Sequence, residues 1–214
     1  MKVSFHPGQF TVLASDTPDI VDRSIDEFEY HVNMARWMGF GKSFQDGCKI
    51  NVHISGRQGP AGIIKAIPRL SPEARNLLTI ENDEMGWGLE SSLELEKHCA
   101  LVLDIHHHWV RTGEYIQADD DRVKRVVDSW RGVRPTMHYS YSRDEWLTPA
   151  YPNAEDMHKG FHDMETLLSK GCKKQKLRAH SELLPNRAVN EWALSFIPQL
   201  DIQVEAKMKN QAAD

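Results

Sequence analysis

The chain has 214 residues and a mass of 24.5 kDa, enough to bury a sizeable core and short enough that one domain is expected. Its formal charge is −5, from 26 basic against 31 acidic residues, which lacks the basic footprint usual in nucleic-acid binders. No apolar run could span a bilayer, MKVSFHPGQF lacks the regions of a signal peptide, and three cysteines without CxxC spacing argue against a disulfide framework or a thiolate zinc site. These features lead us to expect a cytoplasmic protein with no membrane partner and with reduced, packed cysteines.

The expected elements alternate strand and helix. Strands are read at Lys2–His6, Lys49–Ile54, Leu77–Glu81, Leu101–Ile105, Pro135–Ser140 and Asp201–Glu205, each short and mostly apolar, as buried parallel strands are. A helix follows the first strand: Thr17 can cap it, Pro18 fits its first turn, and Val21, Ile25, Phe28, Val32 and Ala35 recur at helical spacing. A second helix, Asp121–Trp130, presents Val123, Val126, Val127 and Trp130 to a core. Between His138 and Glu205 the rhythm breaks, with a helix expected near Glu155–Lys170. This stretch, at about residues 141–179, reads as an insertion at the rim of a site. Nothing marks a domain boundary, and the alternation predicts an α/β fold of βα units with right-handed crossovers.

Carboxylates and imidazoles stand at or just past the ends of these strands: His6, His53, Glu81, Asp104 with His106 to His108, His138 and Glu205. Strand ends of a parallel sheet or barrel converge on one face, and nitrogen and oxygen donors repeated strand after strand suit a multinuclear metal site. LDIHHH is the densest cluster. Strand alternation would put Asp104, His106 and His108 on one face and His107 on the other, but the strand has to end here, so period two does not decide. Taken singly, Glu81 also fits a helix cap or a surface role, Glu205 a helix start, and His6, His53 and His138 satisfied core histidines. Their repetition favours ligation. His158 and His162 read as surface residues.

Positive charge gathers at Lys170, Lys173, Lys174, Lys176 and Arg178, either a solvated run or a patch for a polyanion. Metal ions on the ligand carboxylates would also soften the net negative charge. No GxSxG, GxGxxG or Walker-type loop occurs, and HPGQ, SGRQGPAG and MGWG are too irregular to cradle phosphates, so no nucleotide cofactor is expected. The residues support metal-assisted hydrolysis or isomerisation and do not choose between them.

In their order and spacing, HPGQFTVLAS, the EYH of Glu29 to His31, NVHISG, TIENDE, LVLDIHHH, MHYS and DIQVEAKMKNQA resemble the motif series of the UV damage endonucleases, over nearly the whole chain. The resemblance implies a (β/α)8 TIM-barrel type fold with two or three divalent metals, of the manganese type, in its C-terminal mouth. It implies that His6, His53 and Glu81 hold one metal, that Glu81 bridges to a second completed by Asp104, His138 and Glu205, and that His107 and His180 hold a third. Gln9 and Phe10 match the pair that probes the damaged duplex beside a flipped lesion; without the resemblance they read as a loop residue and a core residue. Lys173, Lys174 and Lys176 would contact DNA. The implied reaction is metal-dependent hydrolysis of the phosphodiester immediately 5′ to a UV lesion such as a pyrimidine dimer, or to other damage such as an abasic site, in double-stranded DNA. Glu81, Asp104, His138 and Glu205 are the expected catalytic group.

The chain departs from that family in two ways. The family has two further βα units before the HPGQ strand, so the expected fold is a barrel lacking its first two βα units, with about six strands, either completed by a second chain or a fragment. Thr136 also stands where the family has a lysine, two residues before His138, which bears on the third metal. The alternatives are a sugar-phosphate isomerase or epimerase on a related metal-binding barrel and an inactive, truncated family member.

Overall fold

The computed structural model describes residues 2–8 and 10–212. In chain order its main elements are β1 (Val3–Phe5), α1 (Pro18–Trp37), β2 (Cys48–His53), α2 (Gly59–Ala66), α3 (Pro72–Leu77), β3 (Leu78–Glu81), α4 (Leu89–Leu93), β4 (Ala100–Val102), α5 (Ile105–Thr112), α6 (Asp121–Ser129) and β5 (Thr136–Tyr139). There follow four short helices, α7 (Asp144–Leu147), α8 (Ala154–Met157), α9 (Met164–Ser169) and α10 (Lys174–Leu177), then α11 (Arg187–Leu194) and β6 (Asp201–Val204). The fold is α/β. Every strand pairing among the described residues is parallel, in the orders β1-β2-β3-β4 and β5-β6. No helix among them is long and apolar enough to cross a membrane.

The residues group into two compact units. The first runs to Val102 and includes Asp121–Val133; the second holds Leu103–Asp120 and the chain from Arg134 onward.

In the first unit, period two sorts β2 and β3 into two faces. Ile50 and Val52 of β2 and Leu78 and Ile80 of β3 are apolar and buried, each burial contributing roughly 1.5–3 kcal/mol. Helices α1 and α3 pack against β2, α4 against β3 and α6 against β4. Helix α1 turns Ile25, Phe28, Val32 and Ala35 inward. The opposite face carries Asn51 and His53 in register with Thr79 and Glu81. Lys49 precedes them on that face. Its ammonium donates to the carbonyls of Phe44 (2.6 Å) and Asn76 (2.8 Å) and lies 4.0 Å above the Phe44 ring, while burial pulls its pKa down to about 8.

In the second unit, β5 and β6 pair from Thr136 opposite Asp201 to Tyr139 opposite Val204. On its other side β5 meets an isolated parallel bridge from Asp104 to His138, and α5 packs on it. The buried residues include Leu103, Ile105, Val110, Met137, Leu167, Leu177, Phe196 and Leu200.

All six expected strands are present, with ends within one residue of expectation except at the fourth. That strand stops at Val102 rather than Ile105, because Asp104 takes the N-cap position of α5 and its carboxylate accepts from the His107 N–H at 2.6 Å. His106 to His108 are therefore helical, and strand alternation does not apply to them. Thr17 does sit at the N-cap of α1, with Pro18 at its start, but its side chain makes no capping bond; the Thr17 N–H instead donates to Ser15 Oγ at 3.1 Å. The single helix expected over Glu155–Lys170 is two, because Asn153 and Asp163 each cap a new first turn, accepting from Asp156 N and Thr166 N. His162, expected at the surface, lies between them and is 3% exposed, with Nε2 2.6 Å from the Tyr141 hydroxyl. His158 is half-buried and pairs with Asp144 at 3.1 Å. The three cysteines are free and buried.

Candidate metal centre

In the first unit three parallel strands deliver three donors. His6 follows β1, His53 ends β2 and Glu81 ends β3. His6 Nε2 lies 3.3 Å and His53 Nε2 4.0 Å from Glu81 Oε2, and one donor atom from each residue falls within 4.8 Å of the others. His6 Nδ1–H donates to the Pro7 carbonyl at 3.0 Å, which leaves the Nε2 lone pair on the side of the carboxylate. Glu81 is fully buried, and the Asn51 amide donates to its Oε2. Asn51 is held in turn by Thr79, whose hydroxyl donates to Asn51 Oδ1 at 3.0 Å. His53 Nδ1 stands 3.7 Å from Asp83 Oδ2, an ion-pair separation longer than a hydrogen bond. Two imidazole nitrogens and a carboxylate oxygen form a donor set that fits a divalent cation.

The second unit builds another set. Asp104, His138 and Glu205 each offer a donor atom, all within 4.8 Å of one another. The backbone aligns them: His138 N–H donates to Leu103 O at 2.9 Å, and Glu205 N–H to Tyr139 O at 2.9 Å. His138 Nδ1 is 3.3 Å from Glu205 Oε1, and His180 Nδ1 is 3.9 Å from Glu205 Oε2. Thr136 opens β5 two residues before His138, on the same face of that strand.

The first turn of α5 separates the three consecutive histidines. His107 Nδ1 lies 3.8 Å from Asp104 Oδ2, and its ring centre 6.3 Å from that of His180. His108 Nε2 instead reaches Glu114 at 2.9 Å. His106 is buried between two serines. The Ser142 hydroxyl gives its proton to Leu177 O (2.6 Å), so toward His106 Nε2 (3.0 Å) it accepts, and Ser140 Oγ–H donates to Nδ1 at 2.8 Å. That arrangement defines a neutral Nε2–H imidazole. Burial holds its pKa well below 6.5, with His180 and His107 acting in the same direction.

Of the residues expected to touch DNA, Phe10 is 84% exposed, which rules out the core position also considered for it, and Gln9 lies outside the described residues. Lys173 and Lys176 are exposed, Lys176 over the Trp146 ring at 4.5 Å; Lys174 is half-buried and donates to Arg111 O. Sequence reasoning passed over Asn51 and Thr79. Both had a signal, since Lys49, Asn51 and His53 alternate with Ile50 and Val52, and Thr79 with Ile80.

A family model described as UV-endonuclease UvdE matches residues 1–213. The chain belongs to the UvdE family. This UvdE chain is 29% identical over 164 residues to the UV-damage endonuclease of Neurospora crassa, covering 69% of itself and 25% of that protein. It is 26% identical over 223 residues to the UV-damage endonuclease of Schizosaccharomyces pombe, covering 99% of itself and 32% of that protein. To the UV DNA damage endonuclease of Bacillus pumilus it is 30% identical over 168 residues, with 73% and 50% covered. The crystal structure of SacUVDE shares the fold, with a TM-score of 0.70 at 24% identity over 99% of the UvdE chain and 62% of that one. The UvdE chain thus spans half or less of the length of these curated relatives.

Proposed function

We propose that this chain carries the metal-binding and lesion-probing part of a DNA repair endonuclease that incises the phosphodiester 5′ to UV lesions in double-stranded DNA. The observation that carries the reading is the donor set His6, His53 and Glu81 on three successive parallel strand ends, in a chain of the UvdE family. His6, His53 and Glu81 would hold one divalent cation, Asp104, His138 and Glu205 a second, and His107 and His180 a third, with manganese the metal of choice. A bound divalent cation supplies Lewis acidity toward a phosphodiester and toward water.

The protein's own groups have separate tasks. Glu81, kept in place by Asn51, supplies a buried anionic oxygen, and the His6 imidazole keeps its Nε2 lone pair available because Nδ1–H is committed to Pro7. Asp104, His138 and Glu205 supply two carboxylates and an imidazole with no lysine or serine needed as nucleophile. Phe10, with Gln9 beside it in sequence, would stack against an opened base step, and Lys173, Lys174 and Lys176 would meet phosphates.

The same reading includes one domain of the (β/α)8 type, a rim insertion at about residues 141–179, barrel strands beyond the six described, a cytoplasmic protein and damaged DNA as partner. The test is nicking of UV-irradiated plasmid by the purified chain with manganese. Cutting above an unirradiated control is expected, and cutting no better than that control refutes it.

A further inference from the structure

Two glycine-rich stretches, Ser55–Gly62 after β2 and Met85–Gly88 after β3, contribute no donor to the metal sets. The structure ties both to the loop that follows β1. The Gln58 N–H donates to Ala14 O at 3.0 Å, and its side-chain amide to Ser15 O at 2.8 Å. Gly56, at φ +98°, packs so closely that a Cβ there would stand 2.3 Å from Ala14 O, and a Cβ on Gly62 would stand 2.7 Å from the Ala14 methyl. Trp87 closes the set from the other side. Its indole N–H donates to Gly56 O at 2.7 Å, and its ring lies on Gly59, at φ +51°, where a Cβ would come within 2.5 Å of a ring carbon.

The Trp87 loop is fixed in turn, because Asp83 N–H donates to Trp87 O at 2.9 Å and Asp83 Oδ1 accepts from Met85 N–H at 2.8 Å. At the far end, Thr11, Leu13, Ala14 and Ser15 are buried, and Val12 N–H donates to Ser24 Oγ at 2.8 Å. Phe10, immediately before this buried root, is 84% exposed. An aromatic that must enter a stacked duplex works only if its base does not yield, since ordering a loose loop on binding would consume affinity.

We infer that Trp87 is a positioning residue which, through Gly56 and Gly59, holds the Ala14–Ser15 root of the Phe10 loop and so sets lesion selectivity. This rests on the reading of Phe10 as the duplex probe. The test uses the full chain and two readouts, amide hydrogen exchange over residues 11–15 without DNA, and the ratio of nicking on irradiated over unirradiated plasmid. W87A is expected to raise exchange by tenfold or more and to lower the ratio about tenfold with unirradiated nicking unchanged. W87F removes the indole donor together with part of the ring surface that lies on Gly59, so a rise in exchange of at least about fivefold is expected, the size of one net hydrogen bond. Should W87A fail to fold, W87F decides alone. Unchanged exchange overturns the brace, and raised exchange with an unchanged ratio overturns its role in selectivity. A wild-type chain indifferent to irradiation overturns the functional reading itself, and the selectivity claim with it, whatever the exchange data show.

Discussion

His53 and Glu81 are register partners on adjacent parallel strands, with Nε2 4.0 Å from Oε2. Strand pairing, rather than any loop, fixes this half of the donor set. Glu81→Gln preserves shape and removes the charge, so manganese affinity should fall by more than the roughly 10- to 100-fold typical of losing an outer partner. Calorimetric titration checks it; wild-type affinity in the variant would take Glu81 out of the site.

Asn51 touches the same carboxylate without being a donor to metal. Asn51→Leu should keep the fold and weaken metal binding by about 10- to 100-fold, because Glu81 loses its orienting amide. A variant that binds as tightly as wild type would show that the strand alone orients Glu81.

The three consecutive histidines should separate by phenotype. His107→Ala should lower the bound-manganese stoichiometry measured on the purified protein, whereas His108→Ala, which breaks the pair with Glu114, should not. His106→Phe should leave the Ser140 hydroxyl without its acceptor, while Ser142 keeps its bond to Leu177 O, and cost about 1–3 kcal/mol in denaturant unfolding. Loss of metal in His108→Ala would reassign the ligand.

His162 gives a pH signature. Burial, aided by nearby His158, pulls its pKa from 6.5 to about 4. The unfolded chain then takes up a proton at a pH where the folded chain does not. Stability should be full above pH 6.5 and decline as the pH falls toward 4, by roughly 3 kcal/mol. His162→Gln, which cannot titrate, should flatten that part of the curve in urea melts at stepped pH. An equal slope in the variant would place the effect elsewhere.

Phe10→Ala tests the substrate class. A lesion endonuclease should lose most of its preference for irradiated over unirradiated DNA, as removal of one stacking aromatic costs about 1–3 kcal/mol. A sugar-phosphate isomerase should keep its turnover, so unchanged kinetics on a small phosphosugar together with no nicking would favour that alternative.

Much of this was legible in the chain itself. The runs around Ile50, Ile80 and Met137 are short, apolar and flanked by breakers, so the strands were found, and with them His6, His53, Glu81, His138 and Glu205. What escaped depended on side chains acting on backbone. Asp104 caps α5 and turns His106 to His108 from a strand into a helix, a competition that period-two reasoning does not contain. Asp163 in the same way starts a second helix inside what looked like one. His162 looked polar enough for the surface, but Tyr141, a partner 21 residues away in sequence, lets it be buried. The Trp87 brace was out of reach because close approach at Gly56, Gly59 and Gly62 becomes visible only when three loops are seen together.

The two-faced character of β2 and β3 reaches beyond catalysis. A slip of one residue in either strand would move Ile50, Val52 and Ile80 off their packing face by the same step that carried His53 and Glu81 away from each other. The chain therefore has no cheap way to be well packed and wrongly assembled at these strands. A stable register of β2 on β3 works as a checksum on the donor set.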